Sequence, residues 1–208
     1  MPLTQAPFKL PLVAILRGIT PEQTPAHVGA LVQAGFDAIE IPLNSPRWRD
    51  SIALAQREYG ADAWIGGGTV LSNSDVDALV DIGARFIVTP NIRPSLIRHA
   101  VARGLEVIAG FATATEAFDA IDAGAQRLKL FPASTYGAAH VRALRSVLPA
   151  QVPIYVVGGV TPDNLSSFFA QGAAGAGIGG ELYRPGQLLE TTQSQARAFV
   201  QAYQESQG

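Results

Sequence analysis

The amino-acid sequence predicts an α/β protein built as a closed (β/α)8 barrel of the TIM type. Eight short apolar segments alternate with amphipathic ones, and most connections between them are short. Such alternation produces parallel strands. Eight units within 208 residues favour a closed barrel over an open doubly wound sheet. We therefore expect one domain over residues 1–208.

A repeated unit supports this prediction. Each unit has a helical tail, a glycine and a short apolar strand, and glycine is the usual residue just beyond a helix end because it accepts a left-handed backbone. Successive glycines are 25, 23, 21, 20 and 48 residues apart, and the last gap holds two units divided near Pro149. The glycines assigned to helix ends are Gly35, Gly60, Gly83, Gly104, Gly124 and Gly172.

The strands predicted after these glycines are 12–16, 37–41, 63–66, 86–89, 106–109, 127–130, 154–157 and 175–178. Helices are expected to begin at Thr20-Pro21, Ser45-Pro46, Ser72, Thr113 and Thr161-Pro162. Ser or Thr caps the first free N–H groups of a helix, and Pro is tolerated at its first position. Residues 1–11 are expected to form a short extra segment that plugs or flanks the bottom of the barrel.

Composition narrows the possible partners. The net charge is -2 and the isoelectric point is near 5.9, which gives no electrostatic basis for binding nucleic acid or an anionic membrane. No uncharged apolar run reaches the roughly 18 residues of a membrane span, and the N-terminus lacks the features of a signal peptide. We expect a cytoplasmic protein that acts on a small molecule.

No cofactor or metal is expected either. There are no cysteines, and His27, His99 and His140 all fall in predicted helices without metal-ligand spacing. The sequence also lacks the glycine motifs of dinucleotide and P-loop sites.

Lys129 is the strongest candidate for chemistry. It is one of only two lysines, the other being Lys9, and it lies between Leu128 and Leu130 in the sixth strand. Period-two alternation turns the leucines towards the helices and Lys129 into the barrel. A buried salt bridge or a lysine reaching the rim would be the structural interpretation. The chemical interpretation is an amine whose pKa is lowered by desolvation, so that it attacks a carbonyl group.

Two further charged residues occupy strand ends, where barrel enzymes place their active sites. Glu40 points inward between Ile39 and Ile41, so it is either an ion-pair partner or a general acid/base. Arg17 ends the first strand, where it could bind a carboxylate or lie in solvent.

The remaining candidates shape the pocket. Thr69 follows the glycines of the third strand, while Pro90 and Phe131 end the fourth and sixth strands and would form the pocket wall. Glycine-rich turns after strands seven and eight of a barrel commonly bind phosphate. The two glycine pairs at those positions are Gly158, Gly159, Gly179 and Gly180.

The motifs AILRGITPE, AIEIPLNSP, IGGGTVL, VTPNI, LKLFPAS, VVGGVTPDN and GAGIGGELYR resemble those of a family of class I aldolases. Its members cleave phosphorylated 2-keto-3-deoxy sugar acids, and the resemblance covers nearly the whole chain. It implies release of pyruvate and D-glyceraldehyde 3-phosphate by a metal-free homotrimer. It also implies that Lys129 is the Schiff-base lysine, Glu40 the general acid/base, and Arg17 and Thr69 substrate-binding residues, with the glycine pairs binding phosphate.

Two departures from the family pattern bear on specificity. Phosphogluconate enzymes typically carry an arginine where this chain has Asn44, and Arg17 could assume its role. This difference favours the phosphogalactonate type over the C4 epimer. The last glycine loop has Gly180 where a serine is common, so one hydroxyl contact to phosphate is lost. The alternatives are a sugar-phosphate epimerase without covalent chemistry and a catalytically silent sugar-phosphate-binding regulator.

Overall fold

A computed structural model of the chain describes residues 8–207 and contains a closed barrel of eight parallel strands, in which β8 pairs with β1. The strands are β1 (Leu12–Ile15), β2 (Ala38–Pro42), β3 (Trp64–Gly68), β4 (Phe86–Val88), β5 (Glu106–Phe111), β6 (Arg127–Leu130), β7 (Ile154–Val157) and β8 (Gly175–Ile178). The helices are α1 (Thr24–Ala34), α2 (Trp48–Tyr59), α3 (Asn73–Asp81), α4 (Pro94–Ala102), α5 (Ala114–Asp122), α6 (Ala133–Arg145), α7 (Pro162–Ala170) and α8 (Leu189–Glu205). The predicted (β/α)8 fold is confirmed.

Three helix starts were predicted correctly because local chemistry decides them. Ser72, Thr113 and Thr161 cap α3, α5 and α7, and each side chain accepts a hydrogen bond from the backbone N–H three residues later. In return, the side chain of the third residue after each cap accepts a hydrogen bond from the backbone N–H of the capping residue. Because these hydrogen bonds join residues only three apart in the chain, the sequence alone can predict them.

The predicted starts of α1 and α2 were wrong. Thr20 accepts backbone bonds from Gln23 and Thr24 in a preceding turn, and regular helix begins only at Thr24. The Ser45 hydroxyl accepts the backbone N–H of Gly18 at 2.8 Å, so it is engaged by another loop and does not cap α2. That helix begins at Trp48, after Arg47 in a left-handed conformation.

The glycine repeat marks helix ends for the same local reason. Gly35, Gly83, Gly104, Gly124 and Gly172 all have positive φ. Gly60 follows α2 as predicted but has φ -64, so the left-handed conformation does not explain its position.

The bottom of the barrel is closed by an aromatic side chain from the N-terminal segment. Phe8 is buried and meets Trp64, Phe86 and Tyr155 edge-on, with ring centroids 5.7–6.5 Å apart. The predicted plug is thus present from residue 8, while residues 1–7 of that segment lie outside the described part. Next to the Phe8 ring, the guanidinium of Arg127 forms an ion pair with Glu106.

The helices cover the outside of the barrel. Alternate side chains of each strand therefore point outward, towards the helices, or inward, into the barrel. Leu128 and Leu130 are fully buried in the layer between strands and helices, as period-two alternation predicted. No helix among residues 8–207 is long and apolar enough to cross a membrane.

Candidate active site

A cavity of about 520 Å³ opens at the carboxyl ends of the strands. It is bordered by every residue that the sequence singled out for the site except Glu40: Arg17, Thr69, Pro90, Lys129, Phe131, Gly158, Gly159, Gly179 and Gly180. These residues come from six strand ends, so only barrel closure brings them together.

Lys129 lies at the floor of this cavity and is only 6% exposed. Burial lowers the pKa of its amine below the ordinary value, and the positive charge of Arg17 acts in the same direction. The negative charge of Glu40 opposes this shift in pKa. The amine also lies 5.1 Å from the centre of the Phe131 ring. Because burial disfavours the charged ammonium form, the neutral, nucleophilic form of the amine is more accessible here than in water.

Glu40 is almost fully buried and borders a second, interior space of about 10 Å³, which Lys129 also borders. That space is close to the minimum for one water molecule. Burial raises the pKa of the Glu40 carboxyl group, whereas the positive charges of Lys129 and Arg17 lower it. Lys129 thus stands between the open cavity and the carboxyl group, which suits a proton transfer relayed through water.

Arg17 is held at the mouth by two polar neighbours. Its guanidinium donates to Asn44 Oδ1 at 2.7 Å and reaches Thr69 Oγ1 at 3.5 Å. Thr69 has φ +56, a left-handed conformation that a β-branched residue rarely adopts and that strained functional positions often show. Together these groups form a cationic, hydrogen-bonding corner suited to a carboxylate.

The two glycine pairs line the part of the cavity at the ends of β7 and β8, and β8 is the neighbour of β1, the strand that precedes Arg17. Gly158 and Gly159 both have positive φ, and a side chain on Gly159 would collide with Ser134. Gly179 and Gly180 face open space, where a side chain would meet nothing within 4 Å. Backbone can therefore approach a bound group closely at these turns, as phosphate binding requires.

Comparison with known proteins identifies the family. A family model described as "Aldolase: KDPG and KHG aldolase" matches residues 5–198. The chain belongs to the KDPG and KHG aldolase family. It is 56% identical to the 2-dehydro-3-deoxy-6-phosphogalactonate aldolase of Escherichia coli K12, over 95% of this chain and 97% of that enzyme.

Solved structures agree with this aldolase assignment. A structure described as native KDPGal is 55% identical, with a TM-score of 0.96 and 98% coverage of both chains. A cube-shaped cage designed by fusing symmetric oligomeric domains contains a 56% identical chain, with a TM-score of 0.95 over 96% of this chain and 74% of that one. The protein is therefore a carbon–carbon lyase.

The histidines of the aldolase lie on helices, as predicted, and away from the cavity lining. His27 is buried against α8, where Nδ1 lies 2.8 Å from Thr192 Oγ1, so it is a packing residue of α1. Within residues 8–207, no group of three or more His, Cys, Asp or Glu side chains could hold a metal ion.

Several residues in and around the candidate site were not predicted from the sequence. Asn44 was noted as a departure from the family pattern, but its bond to Arg17 was not foreseen. In the sequence, Gly68 is one of three consecutive glycines at the end of the third strand, and nothing there shows that the carboxyl group of Glu40 occupies the space that a side chain on Gly68 would need. The other missed lining residues are Ile15, Val157, Val160, Gly177 and Glu181; only their positions at strand ends could have indicated them.

Gly68→Ala should slow the aldolase reaction by displacing the Glu40 carboxyl group. The matched control is Gly67→Ala in the same strand, where the new methyl group would crowd Leu79 and Leu43 outside the barrel. Each change should cost about 1–3 kcal/mol of unfolding free energy from overpacking, but only Gly68→Ala should reduce kcat. Steady-state cleavage rates and thermal unfolding of both variants separate these effects. Equal kcat values in the two variants would contradict the positioning of Glu40 by Gly68.

Proposed function

We propose that the protein is a class I aldolase that reversibly cleaves 2-dehydro-3-deoxy-6-phospho-D-galactonate to pyruvate and D-glyceraldehyde 3-phosphate, in D-galactonate catabolism. The observation that carries this proposal is the placement of Lys129. This buried residue borders both a substrate-sized cavity and the small interior space that Glu40 also borders.

In the proposed reaction, neutral Lys129 Nζ attacks the C2 ketone of the sugar acid. Loss of water produces a protonated imine, which accepts electrons from the neighbouring C3–C4 bond. Glu40, acting through a water molecule, removes the C4 hydroxyl proton, so that C4 becomes the aldehyde of glyceraldehyde 3-phosphate. The C3–C4 electrons form a pyruvate enamine on Lys129. Protonation at C3 and hydrolysis of the imine release pyruvate and restore the free amine.

The other residues hold the substrate in a reactive position. Arg17 and Thr69 bind the carboxylate at the pyruvate end, while Pro90 and Phe131 form an apolar wall over the reacting carbons. The two glycine pairs bind the phosphate through backbone N–H groups. Because both ends of the substrate are held, C4 stays within reach of the base, which supplies the orientation component of catalysis.

The proposed preference for the galactonate substrate rests on two observations. The relative that is 56% identical bears the name of a phosphogalactonate aldolase. The loop after β2 carries Asn44, at the position where phosphogluconate enzymes typically have an arginine. Here Asn44 accepts a hydrogen bond from Arg17 instead.

A coupled pyruvate-release assay on both C4 epimers, with and without a chelator, tests this function. We expect faster release from the phosphogalactonate substrate, and the same rate with the chelator present. A higher kcat/KM for the phosphogluconate epimer would reverse the assigned preference. No pyruvate from either epimer would favour a sugar-phosphate epimerase or a silent binding protein instead. Loss of pyruvate release in the chelator would contradict the metal-free Schiff-base mechanism.

We further propose that the single domain forms a cytoplasmic homotrimer. The similar chain in the designed cage supports a symmetric oligomer, since that cage was made from symmetric oligomeric domains. Exposed large apolar side chains outside the cavity, among them Phe118 and Tyr136, supply surface that association could bury.

A further inference from the structure

Two side chains hold the segment that follows the second glycine pair. Arg184 Nε donates to the carbonyl of Gly180 at 2.9 Å, and Gln187 makes the larger set of contacts. Its Nε2 donates to the carbonyl of Leu182 at 2.9 Å and to Thr192 Oγ1 at 2.7 Å, while its Oε1 accepts the backbone N–H of Arg184 at 3.0 Å. An amide has two donor hydrogens and one acceptor oxygen. All of them are used here, and Nε2 also lies 3.3 Å from Gln195 Oε1, so the orientation of the amide is defined.

Gln187 thus acts as a clamp that joins residues 182–184 to Thr192. The Thr192 end of this clamp lies in the packing between α1 and α8. Thr192 is fully buried, and its hydroxyl also contacts His27 Nδ1 at 2.8 Å. The ring of His27 packs edge-on against Tyr183, whose hydroxyl donates to Gln23 Oε1 at 3.2 Å. Burial lowers the pKa of His27, which is consistent with a neutral ring that accepts from the Thr192 hydroxyl.

The near end of the clamp is the turn that carries Gly179 and Gly180. The backbone N–H groups of Leu182 and Tyr183 both donate to the carbonyl of Gly179, at 2.8 and 3.0 Å. Because Gln187 holds the Leu182 carbonyl and the Arg184 N–H, it fixes the chain on both sides of Tyr183. The glycines themselves have no side chain with which to stabilise the turn.

We propose that Gln187 is a positioning residue for phosphate binding, which keeps the turn at Gly179 and Gly180 in the shape that receives the phosphate. It acts through the backbone of residues 182–184 and does not border the cavity itself. The proposal rests on the proposed function. It predicts that Gln187 matters for phosphorylated substrates and not for imine chemistry at Lys129.

Gln187→Met tests this because methionine keeps the length of the side chain and removes its hydrogen bonds without adding charge. The assay is condensation of pyruvate with D-glyceraldehyde 3-phosphate and, separately, with unphosphorylated D-glyceraldehyde. We expect kcat/KM to fall about tenfold for the phosphorylated aldehyde, as for the loss of an ordered set of hydrogen bonds, with most of the change in KM. The value for D-glyceraldehyde should stay at the wild-type level.

The matched control is Gln193→Met, the same substitution in the first turns of α8, which should leave both values unchanged. Gln187→Glu, which loses both donors but keeps the shape, should repeat the selective loss. Equal losses with the two aldehydes, or no loss with either, would overturn the proposal, because a general effect on the fold does not distinguish phosphate.

Borohydride trapping of pyruvate separates this proposal from the proposed function. Pyruvate carries no phosphate, so Gln187→Met should form the Lys129 adduct at the wild-type rate. If wild-type protein forms no adduct, the proposed function fails. If the adduct forms but the preference for the phosphorylated aldehyde is unchanged in Gln187→Met, only the role of Gln187 fails.

Discussion

Replacement of Lys129 by alanine is expected to abolish covalent capture of pyruvate and to reduce cleavage at least about 10⁴-fold, because the covalent route needs the amine. Borohydride reduction in the presence of pyruvate, followed by peptide mass spectrometry, should locate a stable adduct on Lys129 in the wild-type protein. Since burial lowers the pKa of this amine, trapping should rise with pH and level off below the ordinary amine pKa of 10.5.

The chain contains its own control for this experiment. Lys9 is the other lysine; it lies in the N-terminal segment and its side chain is exposed. Lys9→Ala should therefore keep both the adduct and full turnover. An active Lys129→Ala variant, or a wild-type adduct on Lys9 alone, would rule out the Schiff-base mechanism at Lys129.

Glu40→Gln should separate imine formation from bond cleavage. Loss of a general acid/base typically reduces a rate by about 10²–10⁴-fold, and we expect cleavage to fall within this range. Glutamine has the same shape as glutamate, so it should fit the space next to Gly68 that the Glu40 carboxyl group occupies. The Lys129 amine should therefore stay reactive. Because the charge of Glu40 raises the pKa of Lys129, its removal should lower that pKa further and preserve trapping of pyruvate.

Glu106→Gln is the matched control at the opposite end of the barrel. Glu106 pairs with buried Arg127, so this change should lower the free energy of unfolding while kcat stays near the wild-type value. Single-turnover cleavage and borohydride trapping should be measured on both variants. Wild-type cleavage by Glu40→Gln would remove Glu40 from the proposed proton transfer.

Much of the barrel could be predicted because its signals are short in range. Each predicted strand overlaps an observed one, and the capping residues Ser72, Thr113 and Thr161 mark the starts of three helices. The inward direction of Lys129 follows from its position between two leucines in a strand. Once the topology is a barrel, strand ends must meet, so the approximate membership of the site also follows.

Errors and omissions occurred where a side chain has a distant partner. Ser45 looks like a helix cap in the sequence, but its hydroxyl is used by Gly18, 27 residues earlier. Gly68 looks like an ordinary glycine, yet it provides the space for a carboxyl group from the neighbouring strand. Gln187 has no motif around it, and its role depends on the packing of α1 against α8.

The sequence by itself determined the order of the strands, the family motifs and the identity of the inward-facing Lys129 and Glu40, because alternation, capping and glycine spacing are properties of neighbouring residues. Only the tertiary structure decided that Lys129 borders both the open cavity and the buried space of Glu40, that Asn44 and Thr69 hold Arg17, and that Gln187 clamps the second glycine turn. Those relations are distances between strands and loops far apart in the chain. They exist only when the barrel closes.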